Sequence, residues 1–327
     1  MDPFQLQVES GKQVSGFVHI PSNPTPSSTK ARPLVILFHG GTYTAKYWDA
    51  HPDHSIVAIS DALNIPVVAI NAPGTLDTTP PDMLGEDKRW YYEQANLLNH
   101  HFLPAIWDKY GKPNSASSVV IWGHSMGAQR AYVTAGHYFE CAAETPRYPL
   151  AGLLIHGIAP SLYPFGEDSD LMKMSKLAAT QPGGIWPQDA KDKLFLMPHY
   201  GLADPAKFSN VQGVNIASIR EEQLGSFDLM KWGRDIARYV EVPVMHFLGT
   251  HDCFYPPTDE NMQATRDWFP NAKTFRSVKL INAPHGAEWG PLSTAYYIQG
   301  LGFAVECAVL KDMGNVRDYV PTESIFD

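Results

Sequence analysis

Cysteine is scarce: Cys141, Cys253 and Cys307 are the only three in 327 residues. They are too few and too scattered for a disulfide framework or a cysteine-rich zinc cluster. Positive charge is short as well. Lys and Arg number 25 against 34 Asp and Glu, a formal net charge of −9, so no basic footprint for nucleic acid or anionic lipid is present. No apolar run approaches the ~18 residues of a membrane-spanning helix. The opening Met1-Asp2-Pro3-Phe4-Gln5 has no basic segment leading into an apolar stretch, so no secretory signal is expected. These absences lead to the expectation of a cytoplasmic globular protein with neither nucleic acid nor membrane as partner. Hydrophobic residues make up 44% of the chain, enough for a large core, in two domains or in one α/β domain carrying an insertion.

What is there is an alternation of buried strands and helices. Pro33-Leu34-Val35-Ile36-Leu37-Phe38 is continuously apolar, which suits a strand covered on both faces of a parallel sheet. Similar runs recur at Ile65 to Ile70, Ser118 to Trp122, Ala151 to Ile155 and Val242 to Leu248, with a weaker one at Thr274 to Ile281. Gln13 to Ile20 partly alternates and reads as an exposed strand. Between these lie helical patterns: Tyr91, Ala95, Leu98, Phe102 and Ile106, with a kink expected at Pro104, and Met126 to Tyr138. The implied class is α/β, a mostly parallel central sheet with helices on both faces. From 161 to 238 the rhythm breaks, with many Gly, Pro and Met and no convincing buried strand. Leu171 to Leu177 and Phe227 to Tyr239 read as short helices there, the second with Ser226 as N-cap. A structureless loop of that length is uncommon, so residues 161–238 are expected to form a helical cap over a core of residues 1–160 and 239–327.

Chemistry enters at Gly123-His124-Ser125-Met126-Gly127, a G-x-S-x-G match between a buried strand and a helix. That setting is what a nucleophile elbow requires: the tight turn projects the serine hydroxyl, and the helix N-terminus faces developing negative charge. A serine is a poor nucleophile without a base, and the base needs an orienting acid. In elbow enzymes the acid and then the base follow the serine along the chain. Asp252 lies just past the Val242 to Leu248 strand in Gly249-Thr250-His251-Asp252, and His285 follows the last strand in Asn282-Ala283-Pro284-His285-Gly286. Strand ends of a parallel sheet open on one edge, so Ser125, Asp252 and His285 can converge. An oxyanion hole is expected from Phe38-His39-Gly40-Gly41-Thr42, with the N–H groups of Met126 and Gly41 as donors and Thr42 as a neighbouring candidate.

Several residues carry competing readings. Asp259 and Glu260 are alternative acids, read more readily as solvated charges on a helix. His124 is either a pocket-wall residue or core packing, and His39 braces the oxyanion turn. Cys253, beside Asp252, reads as a small buried side chain. His51 with His54, and His100 with His101, lack converging cysteines or carboxylates, so no metal ligation is expected. Trp186, with Met172, Met174, Met197, Met230 and Trp232, either lines an apolar pocket or packs the cap on the core. Phe254 and Trp289 flank the acid and base in sequence and are candidates for the cleft wall.

From His39-Gly40-Gly41 through Gly123-His124-Ser125-Met126-Gly127 to Asp252 and His285, the chain resembles the α/β-hydrolase fold superfamily over nearly its whole length. Gly249-x-x-Asp252-x-x-x-Pro256-Pro257 resembles the acid turn of capped members. One departure is Asn71-Ala72-Pro73-Gly74, where many relatives carry Asp-x-Pro-Gly. The resemblance implies a capped α/β-hydrolase fold and a serine hydrolase that needs no cofactor. It would act on a carboxylic ester, lactone or thioester of a small, fairly apolar molecule. Two alternatives stay open on the same scaffold: non-hydrolytic chemistry such as acyl transfer, carbon–carbon cleavage or a cyclase or lyase step, and a non-catalytic ligand receptor.

Overall fold

A computed structural model describes residues 1–8, 11–22, 31–83, 89–141, 148–164, 166, 168–169, 173, 188–203, 207, 211–217 and 219–314. Its strands are β1 (Asp2–Gln7), β2 (Gln13–His19), β3 (Pro33–Phe38), β4 (Val67–Ile70), β5 (Ser118–His124), β6 (Leu150–His156), β7 (Val244–His251) and β8 (Phe275–Pro284). They form one sheet in the order β1-β2-β4-β3-β5-β6-β7-β8. From β4 to β8 every neighbouring pair is parallel, while β1 and β2 add an antiparallel edge. All residues of β3, β5 and β6 are buried, as strands covered on both faces must be.

Alternation along these strands divides the core in two. Leu34, Ile36, Phe38 and Ile121 face one layer, which includes Tyr91, Phe102, Tyr132 and Trp232. Val35, Leu37, Val120 and Trp122 face the other, with Trp48, Tyr296, Tyr297 and Leu301. The helices are α1 (Val57–Leu63), α2 (Trp90–Leu97), α3 (Leu103–Ile106), α4 (Met126–Glu140), α5 (Gln188–Leu196), α6 (Arg220–Ala237), α7 (Asp259–Arg266) and α8 (Ser293–Met313). Among the described residues no helix is long and apolar enough to cross a membrane.

The structure adds to the sequence reading or departs from it at three places. β1 carries no apolar run of its own; it is a short edge strand in which only Phe4 is buried, a position that tolerates Pro3. The helix from Tyr91 to Ile106 is interrupted just before Pro104 by a wide π turn at Leu98–Phe102, and a second π turn follows it at Trp107–Gly111. Pro104 sits in the first turn of α3, and the wide turn before it relieves the clash of its ring with a carbonyl four residues back. Ser226 is not an N-cap, because α6 begins at Arg220 with Glu221 and Glu222 in its first turn, where acidic side chains complement the helix dipole. The Ser226 hydroxyl instead donates to Gln129 Oε1 at 2.8 Å, tying α6 to α4. Apart from residue 173, the Leu171 to Leu177 segment lies outside the described residues, as do Met172, Met174 and Trp186.

Candidate active site

Ser125 occupies the turn between β5 and α4 at φ 54°, ψ −124°. A non-glycine residue with positive φ is costly and persists only where its surroundings fix it. Here the Ser125 N–H donates to His156 O at 2.8 Å, and its carbonyl accepts from Ala128 N at 2.8 Å and Gln129 N at 3.1 Å. The flanking glycines are demanded by contact. A Cβ at Gly123 would stand 2.2 Å from Gly127 O, and one at Gly127 would stand 2.3 Å from Phe38 O. The G-x-S-x-G spacing therefore lets the helix start directly against the ends of β3 and β5.

His285 follows β8 and Asp252 follows β7, and the structure brings both to Ser125. His285 Nδ1 lies 2.7 Å from Asp252 Oδ2, and His285 Nε2 lies 2.9 Å from Ser125 Oγ. An ionised carboxylate only accepts, so Nδ1–H donates to it and Nε2 is left to accept the serine proton. Asp252 Oδ1 accepts from the Phe254 and Tyr255 backbone N–H groups at 2.8 and 3.0 Å. Burial pushes the Asp252 carboxyl up, but the adjacent His285 and these two donors outweigh it and hold it below the usual carboxylate range. Asp259 instead pairs with Lys279 at 2.6 Å on the exposed first turn of α7, where Glu260 also lies. Burial, with the Asp252 charge, pushes the Cys253 thiol well up, so it stays protonated.

The Gly40–Gly41 turn abuts the serine. A Cβ on Gly40 would be 3.2 Å from Ser125 Cβ, and one on Gly41 would be 2.2 Å from Met126 Sδ. Met126 is the first residue of α4, so its N–H is one of the donors a helix cannot satisfy internally. His39 braces the turn: its Nε2 accepts from Ala72 N at 3.0 Å, leaving Nδ1–H to donate to Gly40 O at 2.8 Å. Burial, reinforced by Arg130, lowers His39 to about 3 and keeps it neutral. Asn71 uses both ends of its amide, accepting from Ala45 N at 2.9 Å and donating to Ser15 Oγ at 2.8 Å.

Of the candidates for the cleft wall, two pack beneath the site: His124 takes the packing role of its two readings, and Trp289 departs from its expected place. His124 is fully buried, stacks on Tyr47 at 5.1 Å, and donates through Nε2 to His285 O at 2.9 Å. Trp289 is 2% exposed, donates its indole N–H to Tyr47 O at 3.0 Å and lies against the Tyr47 ring. Both side chains are large and flat, and the tight stacking around Tyr47 leaves them no open face. Behind them Glu288 accepts from Tyr47 Oη at 2.7 Å and from His156 Nδ1 at 3.0 Å. Phe254 does reach the site: its ring meets His285 edge-on at 4.7 Å. Phe195 of α5, which the sequence did not single out, meets His285 at 5.3 Å and Phe254 at 5.3 Å. Nothing in the local sequence of Phe195 signals that contact. A small cavity of about 30 Å³ lies between α4 and α6, lined among others by Gln129, Tyr132, Ile158, Leu229, Tyr255 and Trp268.

A serine, a histidine and a carboxylate hydrogen-bonded in line at one edge of a doubly covered, mostly parallel sheet define the class of the α/β hydrolases. The chain belongs to the alpha/beta hydrolase family, whose profile matches residues 35–293. No curated protein matches it in sequence. Solved structures share the fold at low identity. An enol-lactonase from Burkholderia xenovorans superposes with a TM-score of 0.59 at 14% identity, over 93% of this chain and 100% of that one. A thermophilic esterase from Thermogutta terrifontis gives 0.56 at 16%, over 94% and 99%. An N-acyl homoserine lactonase in complex with N-hexanoyl homoserine lactone gives 0.57 at 16%, over 94% and 98%.

Proposed function

We propose that this protein is a serine hydrolase that cleaves a carboxylic ester, lactone or thioester of a small, fairly apolar substrate. The observation that carries the reading is the hydrogen-bond line Asp252–His285–Ser125 beside the Gly40–Gly41 turn. Ser125 Oγ attacks the carbonyl while His285 Nε2 takes its proton, and Asp252 stabilises the imidazolium and fixes its tautomer. The N–H groups of Gly41 and Met126 meet the oxyanion, with Thr42 adjacent. Collapse expels the alcohol or thiol, which leaves with the proton held on His285, and Ser125 keeps the acyl group. Water then gives its proton to His285 and its oxygen to the acyl carbon, releasing the acid and restoring the serine.

Apolar substrates are favoured by Phe195 and Phe254, whose rings flank His285. The fold's likeness to an esterase and two lactonases makes oxygen esters and lactones the first compounds to try. The test is a panel of p-nitrophenyl esters, lactones and acyl thioesters, run with wild type and Ser125→Ala. Turnover of at least one class, lost in the variant, is expected. Equal turnover by both proteins would refute the reading.

A further inference from the structure

Thr42 adopts φ +65°, a conformation that a β-branched residue rarely takes. It is buried, and its hydroxyl has no hydrogen-bond partner among the described residues. Such a backbone persists only when neighbours over-determine it, and the neighbours here come from the cap. Thr42 O accepts from Ile216 N at 3.1 Å and from Lys191 Nζ at 3.2 Å. Lys191 is fully buried on α5. Its ammonium also donates to Asn215 Oδ1 and lies 3.5 Å over the face of the Tyr43 ring. Tyr43 and Asn215 form an antiparallel bridge, continued by Thr44 N to Val214 O at 2.8 Å and Thr44 Oγ1 to Gly213 O at 2.7 Å. One ammonium thus joins both sides of the bridge between the oxyanion turn and the cap.

We infer that Lys191 is a positioning residue that holds Thr42, and through it the Gly41 N–H, aimed at the oxyanion. The inference rests on the proposed serine-hydrolase reading. The cap then acts on the reaction rate as well as on substrate access, because the donor that sets the turn belongs to it. The same helix touches the base from its other end: Phe195 O accepts from Gly286 N at 3.0 Å. Burial lowers Lys191 to about 7 against the opposing pull of Asp192, so the fold retains this amine at a site that disfavours its charge.

The experiment follows the labelling rate of the full chain by a small fluorophosphonate, whose phosphoryl oxygen develops charge where the oxyanion forms. Lys191→Met is expected to lower the saturating rate constant about 100-fold with the half-saturating concentration little changed, the scale of losing one oxyanion donor. In a Thr42→Gly background, where positive φ needs no support, the same substitution is expected to cost under about 10-fold. A role in folding alone would lower the labelled fraction and leave the rate constant of the folded protein unchanged, and that result would overturn the inference. Asn215→Ala serves if Lys191→Met does not fold; an unchanged rate constant there also overturns it. Absence of any label on folded wild type would instead sink the serine-hydrolase reading itself.

Discussion

Gly41 and Met126 are in contact across the mouth of the site: a Cβ on Gly41 would lie 2.2 Å from Met126 Sδ. The two residues whose N–H groups are assigned to the oxyanion are therefore packed against each other, and a side chain on the first must displace the second. Gly41→Ala is expected to fold, because the methionine is flexible, yet to lose about 100-fold in kcat through misplaced donors. Steady-state kinetics with a thermal melt check this; an unchanged kcat would remove Gly41 from the oxyanion hole.

In the proposed triad Asp252 acts through His285, so its loss should cost less than loss of Ser125. Asp252→Asn is expected to lower kcat about 10⁴-fold and Ser125→Ala about 10⁶-fold, by analogy with other triads. Asp259 offers no substitute, since it is held on the surface by Lys279. Full activity of Asp252→Asn would disprove the assignment of the acid.

Helix α6 is anchored to α4 by a buried ion pair between Glu222 and Arg130, and Arg130 Nε also donates to Gln94 Oε1 at 3.1 Å. Removing the carboxylate leaves a guanidinium uncompensated inside the protein. Glu222→Ala is expected to destabilise the fold by about 3–5 kcal/mol, and Glu222→Gln, which keeps an acceptor, by less. Urea denaturation measures both. A loss under about 1 kcal/mol for the alanine variant would show that the anchor lies elsewhere.

Acid sensitivity follows from the buried histidines. Burial chiefly lowers His39 and His124 to about 3, and His137 and His246 to about 4. Glu288 shifts in the same sense, to about 2, where His124 and His156 outweigh the upward push of burial. With unfolded histidine titrating near ~6.5, the unfolded chain binds more protons between about pH 6.5 and about pH 4. Stability therefore rises with pH across that window and is lost on acidification. Urea midpoints should fall steadily from about pH 7 to about pH 4.5; a flat profile would contradict the neutral, buried state of these rings.

The strand-to-turn junctions were legible because each leaves a local mark: an apolar run followed by Gly or Pro and one chemical residue, as at Gly123–Gly127, Gly249–Asp252 and Ala283–His285. Chain order along a parallel sheet did the rest. What sequence hid is set by tertiary contact. Nothing in the sequence around Lys191 marks it out; only in the fold do Thr42, Tyr43 and Asn215 close around it. Neighbours in sequence also diverge in space: Phe254 reaches His285, while Trp289 turns beneath the site to Tyr47. The Gly225-Ser226 pair in α6 imitates a helix boundary, yet a Cβ at Gly225 would lie 2.9 Å from Trp90 Cβ. That glycine marks a close crossing and not an end.

The central claim is that Ser125 is an activated nucleophile. Intact-mass analysis after incubation with a small fluorophosphonate, for wild type and Ser125→Ala, tests it most directly. One stoichiometric adduct is expected on wild type, located on Ser125 and missing from the variant. An adduct that persists in Ser125→Ala, or folded wild type that takes up none, would contradict it.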